Sequence, residues 1–146
     1  MSLLEKAIAI AVEAHKGQKD KAGDPYILHP LRVMFRMDTK EEMIVAVLHD
    51  VLEDTPITPD QLKEMGFSET VLKALDSVTK RAGERYEDFV QRAALHPIGK
   101  KIKLADLRDN MDLSRLEKIT DQDIERVKKY HNASIILKEL EKIKLL

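Results

Sequence analysis

The chain has 146 residues and is 43% hydrophobic, which suits one folded domain, 1–146, with its own core and argues against disorder. Lysine and arginine number 25 against 26 aspartate and glutamate, so no overall field favours nucleic acid or an anionic membrane, and an anionic ligand must be met by local cations. The absence of cysteine excludes disulfides, thiolate metal sites and cysteine nucleophiles, and no run approaches ~20 apolar residues, so a soluble cytoplasmic protein is expected.

Ser2 with Glu5 three residues later has the form of a capping box, and Leu4, Ala7, Ile8, Ala11, Val12 and His15 then recur at helical spacing, with Gly17 as the stop. His15 falls on the buried stripe, either as a hydrogen-bonded core histidine or as support for a nearby site. Residues 17–30 are polar and rich in turns, with Gly23-Asp24-Pro25 as a strong signal. Lys16, Lys19 and Lys21 bring three ammonium groups to this loop, and Asp20 and Asp24 dilute them. After Pro30, Leu31, Val33, Met34 and Met37 predict a short helix. Thr39 with Glu42 repeats the capping box and predicts a helix running through Asp54, stopped by Thr55-Pro56. It is apolar almost all round, as expected for the central element of a bundle.

Thr58-Pro59-Asp60-Gln61 opens a short helix that Gly66 stops, and Ser68 opens another carrying Val71, Leu72, Leu75 and Val78. Tyr86, Phe89, Val90 and Ala93 mark a further helix ending near Pro97. Residues 98–113 read as a helix in which Ile102, Leu104, Ala105 and Leu107 surround Asp106. The last segment, with Ile124, Val127, His131, Ile135, Leu140 and Ile143, predicts a long amphipathic helix packed on the bundle from outside. His96 and His131 read as surface or packing residues, and Met34, Met37, Met43 and Met111 as core filler. With no strand pair and no internal repeat, the expected fold is an all-α bundle of about seven or eight helices.

The segment from Val45 to Asp54 compresses one histidine, three carboxylates and six apolar residues into ten positions, a costly mixture unless something offsets the burial of its polar groups. A divalent metal would do so. His49 and Asp50, together with His29 before a helix-starting proline and Asp106 among apolar neighbours, form a candidate ligand set from three segments, with positions left for water and substrate. Imidazole and carboxylate without thiolate suit manganese (Mn2+) or Fe2+, with Zn2+, Co2+ and Ni2+ as alternatives; manganese is the preferred expectation. Such an ion makes hydroxide available from bound water near neutrality, Glu53 one turn beyond His49 would accept or relay the proton, and Asp54 would orient it or act as a second acid. Lys21, Lys80, Lys103 and Arg108 are candidate cations for a phosphate ester or anhydride. Asn110, one turn after Asp106, is a candidate for a ribose or base.

The residues and their order resemble the HD superfamily of metal-dependent phosphohydrolases, and within it the RelA/SpoT-type alarmone hydrolase domain. The resemblance is carried by Ala14-His15-Lys16-Gly17-Gln18, by 23–30 (GDPYILHP), by 47–55 (VLHDVLEDT), by Val78-Thr79-Lys80, and by Lys103-Leu104-Ala105-Asp106 with Asn110-Met111. It implies an HD-type helical fold, with His29, His49, Asp50 and Asp106 as manganese ligands, Glu53 and Asp54 as catalytic acids, and Lys21 and Asn110 as nucleotide contacts. The implied reaction belongs to the stringent response: removal of the 3′-pyrophosphate from guanosine tetra- or pentaphosphate, by a small stand-alone hydrolase. Two positions depart from the family pattern. Asp20 stands where an arginine commonly precedes the loop lysine, and Leu113 where a threonine usually follows the asparagine. A phosphatase for another nucleotide, such as a nucleoside monophosphate or NADPH, is one alternative; a non-catalytic nucleotide- or protein-binding module is the other. The oligomeric state is left open, a homo-oligomer included.

Overall fold

A computed structural model describes residues 1–144, with side chains through Glu139. Among the described residues nine helical segments follow one another: α1 (Leu3–Ala14), α2 (Leu28–Phe35), α3 (Lys40–Leu48), α4 (Val51–Asp54), α5 (Pro59–Glu64), α6 (Glu69–Ser77), α7 (Tyr86–Ala94), α8 (Pro97–Asn110) and α9 (Asp121–Lys144). Eight are longer than one turn, in line with the expected all-α bundle. Among the described residues the β pairing consists of one isolated bridge, Lys19 with Pro25. No described helix is long and apolar enough to cross a membrane.

Local signals set most helix starts. Ser2 and Glu5, Thr39 and Glu42, and Thr58 and Gln61 each close a complete capping box, and Ser68 caps α6 through the Val71 N–H. Gly17, after α1, adopts φ +82°, a conformation that a Cβ would strain. The expected helix after Pro30 begins two residues earlier, at Leu28, so His29 and Pro30 both sit in its first turn.

α3 lies at the centre and packs against α1, α2, α6 and α8. Every side chain from Ile44 to Leu48 is buried, Val45, Ala46, Val47 and Leu48 completely. The β-branched residues here give up roughly 0.5 kcal/mol each in helix propensity. Full burial of each Val or Leu gains about 1.5–3 kcal/mol, so packing decides the conformation. α8 lies between two apolar clusters, with Ile102 and Ala105 in the α1–α6 core and Leu107 in a smaller cluster with Val90, Ala94, Ala133 and Leu137. At Gly99, a Cβ would come within 1.9 Å of Ser77 Oγ, so α6 and α8 meet at a point only glycine allows.

Three sequence expectations are corrected. The helix predicted through Asp54 breaks at His49-Asp50, leaving α4 as a separate turn. α8 ends at Asn110 and not at Leu113. In α9 the inward face carries Asp123, Ala133, Ser134 and Leu137, while Ile124 and Ile135 are exposed by 45% and 40%. The helix meets α7 and α8 through small side chains that allow close approach, a phase the isoleucines do not mark. Leu140 and Ile143 lie outside the residues whose side chains are described.

Candidate metal centre

The break between α3 and α4 turns the His49-Asp50 pair toward the first turn of α2 and the middle of α8. The His49 N–H reaches only the Ala46 carbonyl, and its Nδ1 donates to the same oxygen at 2.6 Å. A carbonyl only accepts, so Nδ1 carries the proton and Nε2 presents a lone pair. His29 is set in the same way: Nδ1 lies 2.6 Å from Asp109 Oδ2, and that carboxylate is gripped by Arg32 at 2.8 and 3.1 Å.

Both Nε2 atoms point at the same two carboxylates. His29 Nε2 is 2.9 Å from Asp106 Oδ1 and 3.6 Å from Asp50 Oδ2; His49 Nε2 is 3.1 Å from Asp50 Oδ2 and 3.4 Å from Asp106 Oδ1. His29, His49 and Asp50 each offer a donor atom, all within 4.8 Å of one another, and Asp106 adds its oxygen between the imidazoles. His49 Nε2 is buried with no hydrogen-bond partner among the described residues. A buried lone pair facing carboxylate oxygens is repulsive unless positive charge lies between them. The donor set therefore fits a divalent metal, and among sites without thiolate it fits one that accepts both nitrogen and oxygen.

The electrostatics show the same pull on positive charge: burial opposes charge on His29, yet hydrogen bonds to Asp106 and Asp109 push its pKa up to about 9, so without a metal the ring holds a second proton that an ion would have to displace. Burial likewise opposes ionisation of Asp106, but Lys103, His29 and His49 hold it well below the usual carboxylate range. Asp109 stays ionised against its burial because His29 and Arg32 both donate to it.

A further set of contacts braces the centre from the α1 side. Tyr26 donates its hydroxyl to Asp50 Oδ2. Burial, with the Asp50 charge, raises its pKa, so it remains a phenol and a donor. The rings of His15, Tyr26, His29 and His49 follow one another at centroid distances of 5.0, 5.7 and 5.2 Å. His15 is buried, hydrogen-bonds Gln18 Oε1 at 2.9 Å, and packs on Tyr26. It is thus a core histidine that also supports the site. The Gln18 carbonyl accepts from the Tyr26 N–H at 2.9 Å, which closes the loop beneath the ring.

No protein-family model matches the sequence. The guanosine-3′,5′-bis(diphosphate) 3′-pyrophosphohydrolase of Aquifex aeolicus (strain VF5) is 37% identical over 120 residues, taking in 74% of this chain and 17% of that protein. The bifunctional (p)ppGpp synthase/hydrolase SpoT of Escherichia coli (strain K12) is 34% identical over 90 residues, 58% of this chain and 12% of that protein. A solved structure, described as a metazoan ortholog of SpoT that hydrolyses ppGpp, superposes with a TM-score of 0.78 at 22% identity, covering 94% of this chain and 85% of that one. Over these stretches the chain is similar to (p)ppGpp hydrolases, and it shares the fold of the solved SpoT ortholog. It spans 17% or less of the length of these two curated relatives.

Two cavities flank the four donors, and Asn110 and Tyr130 line both. One, of about 430 Å³, is lined by Asp50, Glu53, Lys80, Lys103 and Asp106. Lys103 is buried, donates to Asp106 Oδ2 at 3.2 Å, and lies 4.8 Å from the centre of the Phe89 ring. Asn110 donates to Asp106 Oδ1 at 3.0 Å. Glu53 and Asp54 reach solvent from α4, and their carboxyls sit above the ordinary range, through partial burial first and then repulsion from Asp50 and, for Glu53, from Asp54. Lys80 stands on a loop pinned by Arg92, which binds the carbonyls of Asp76 and Thr79 at 2.6 and 2.7 Å and both oxygens of Glu84 at 2.9 Å.

The other cavity, of about 420 Å³, places Lys21 and Asn110 beside His29, Arg32 and Asp109. Both departures from the family pattern, Asp20 and Leu113, line it as well. Asp20 Oδ1 accepts the N–H groups of Ala22 and Asp24, each at 2.9 Å, so it braces the loop. Arg108 is not brought to the site. Two residues past Asp106 on a helix it lies about 200° round the axis, where it lines a separate cavity with Arg36 and Lys138. Sequence reasoning missed Asp109 and Arg32 and gave Tyr26 no role. The shared i, i+3 spacing of His29 with Arg32 and of Asp106 with Asp109 was the available signal.

Proposed function

We propose that this domain is a metal-dependent phosphohydrolase that removes the 3′-pyrophosphate from a guanosine polyphosphate such as ppGpp. The observation that carries the reading is the convergence of two imidazole Nε2 atoms and two carboxylates from α2, the α3–α4 break and α8 on one point, with His49 Nε2 otherwise unpartnered. The names of the relatives supply the substrate class. On this reading His29, His49, Asp50 and Asp106 hold a divalent ion, manganese by preference, which would act as a Lewis acid and make a bound water acidic.

The chain's own residues do the rest. Glu53 and Asp54 have carboxyls raised above their ordinary range by partial burial and neighbouring carboxylates, and in this scheme one accepts the proton lost by the attacking water and the other returns one to the ribose 3′ oxygen as its bond to phosphorus breaks. Lys80 and Lys103 meet the pyrophosphate, while Lys21 and Asn110 meet the nucleoside in the neighbouring cavity. A cytoplasmic setting and a single domain over 1–146 belong to the same reading. One observation favours a second substrate class: Asp20 is spent on its own loop and offers no cation or flat surface to a base, which suits a nucleotide phosphatase releasing orthophosphate.

The test is to incubate manganese-loaded protein with ppGpp, GMP and NADPH and to follow pyrophosphate and orthophosphate separately. Pyrophosphate from ppGpp, lost in Glu53→Gln while binding persists, is expected. Orthophosphate from GMP or NADPH would select the second reading. No release of either product with metal bound, or unchanged turnover in Glu53→Gln, would overturn the catalytic assignment.

A further inference from the structure

α8 has a second working face. Lys103, Asp106 and Asn110 line the cavity at the metal centre, whereas Leu104, Arg108 and Met111 line a cavity of about 770 Å³. At 100° per residue these two sets lie on different faces of the helix, centred about 130° apart, so α8 is a shared wall between the two spaces. The rear cavity is within the range that holds small ligands.

Its charge is unusual for a chain with 25 basic and 26 acidic residues. Arg32, Arg81, Arg85, Arg92, Arg115 and Arg126 each hold a carboxylate. The two arginines whose side chains make no ion pair or hydrogen bond among the described residues, Arg36 and Arg108, both line this one cavity. Lys138, likewise unpaired among the described residues, joins them. Lys101 is there too but is committed to Asp38 and Glu42. Among the described residues no acidic side chain lines the cavity, while Met37, Leu104, Ala105 and Met111 give it an apolar wall. Unpaired guanidinium groups above deformable methionines form the complement of a flat apolar body carrying phosphate: the planar forks bind phosphate oxygens in pairs, and thioethers mould to a ring.

We propose that this rear cavity is a second binding site, for a small phosphorylated molecule of the nucleotide class, separate from the metal centre. A peptide rich in acidic residues would satisfy the charge but leave the apolar wall uncovered. The proposal does not rest on the catalytic reading, because none of its residues touches the metal centre.

Amide NMR spectra of the whole protein, titrated with ADP and separately with inorganic pyrophosphate, locate binding residue by residue. Saturable shifts at Met37, Leu104, Arg108 and Ser134 are expected, with a Kd below about 1 mM for ADP and weaker binding for pyrophosphate, which lacks the apolar body. Arg36→Ala with Arg108→Ala should weaken that set of shifts at least tenfold (on the order of 1.4 kcal/mol) and leave shifts at Lys21 and Asn110 in place. Arg36→Lys with Arg108→Lys, which keeps the charge and removes the forks, should fall between the two. Absence of saturable shifts at the rear residues, or shifts untouched by the double alanine variant, would overturn the site. Binding of a poly-glutamate peptide there, with none of ADP, would overturn the ligand class and assign the surface to a protein.

Discussion

The metal centre and the rim of the neighbouring cavity are built to different standards. At the centre each imidazole is fixed by a second hydrogen bond at Nδ1, Asp106 is held by Lys103 and Asn110, and Asp50 by Tyr26. These side chains come from α2, α8 and the α3–α4 break, and their surroundings are buried. At the rim, Lys19 and Lys21 stand exposed on a loop. The one carboxylate among them, Asp20, is turned onto its own backbone. On the proposed reading, the reacting geometry is thus set by packed helices, and recognition is left to a loop that can change without disturbing it.

The comparison breaks most severely at Asp106. Asp106→Ala strands Lys103 and two imidazoles without their shared anion, and an uncompensated buried charge costs about 3–5 kcal/mol. Metal content measured on the purified variant should fall to background, and the melting temperature should drop. Asp106→Asn, which keeps the shape, separates the two effects: it should recover part of the stability and none of the metal. Full metal occupancy in Asp106→Asn would remove this residue from the ligand set.

Asp109 tests whether the outer bonds matter as much as the donors. Asp109→Ala leaves His29 Nδ1 and Arg32 without their acceptor, and loss of such an orienting partner costs on the order of 10–100-fold in metal affinity. A competition titration with a chelator measures it. Equal affinity in the variant would mean that His29 is oriented by packing alone.

Asp109 also shows where sequence reading stops. The capping boxes at Ser2, Thr39 and Thr58 are legible because both halves lie within four residues. The four candidate ligands are legible because histidine and aspartate among apolar neighbours are anomalous wherever they occur. Asp109 and Arg32 are ordinary charges on polar helical faces, and only the 77-residue separation closed by the fold makes them a pair. Arg108 was chosen for its charge, while helical phase sends it to the opposite wall. The break at His49-Asp50 is invisible because local preference favours one helix through Asp54, and the pull on both side chains comes from α2 and α8.

Not every loop around the site is loose, and pH sharpens that point. The loop carrying Lys80 is tied by Arg92 to Glu84, whose carboxyl is held down to about 2, chiefly by the Arg92 hydrogen bonds. A carboxylate depressed on folding stabilises the native state fully above its unfolded value near 4.5, and that contribution is lost as pH falls toward 2. Glu84→Gln should therefore melt below wild type at pH 7, with the gap closing progressively as pH falls through that window. A gap that does not change with pH would mean the Glu84 charge contributes nothing. Because the pair reaches solvent, salt should also narrow the gap at pH 7.

The smallest expected effect is at Asp20. Asp20→Asn retains an acceptor for the Ala22 and Asp24 N–H groups, so it should leave stability within about 0.5 kcal/mol and metal affinity unchanged. Asp20→Arg gives up both bonds, costing about 1 kcal/mol each at most in a partly exposed loop, and places a planar cation at the cavity mouth beside Lys21. If the loop controls recognition and nothing else, KM for a guanosine polyphosphate should fall several-fold in Asp20→Arg while kcat and metal content stay put. A change confined to kcat would instead tie this loop to the chemistry and erase the division of labour between rim and centre, since Asp20 touches no donor of the metal site.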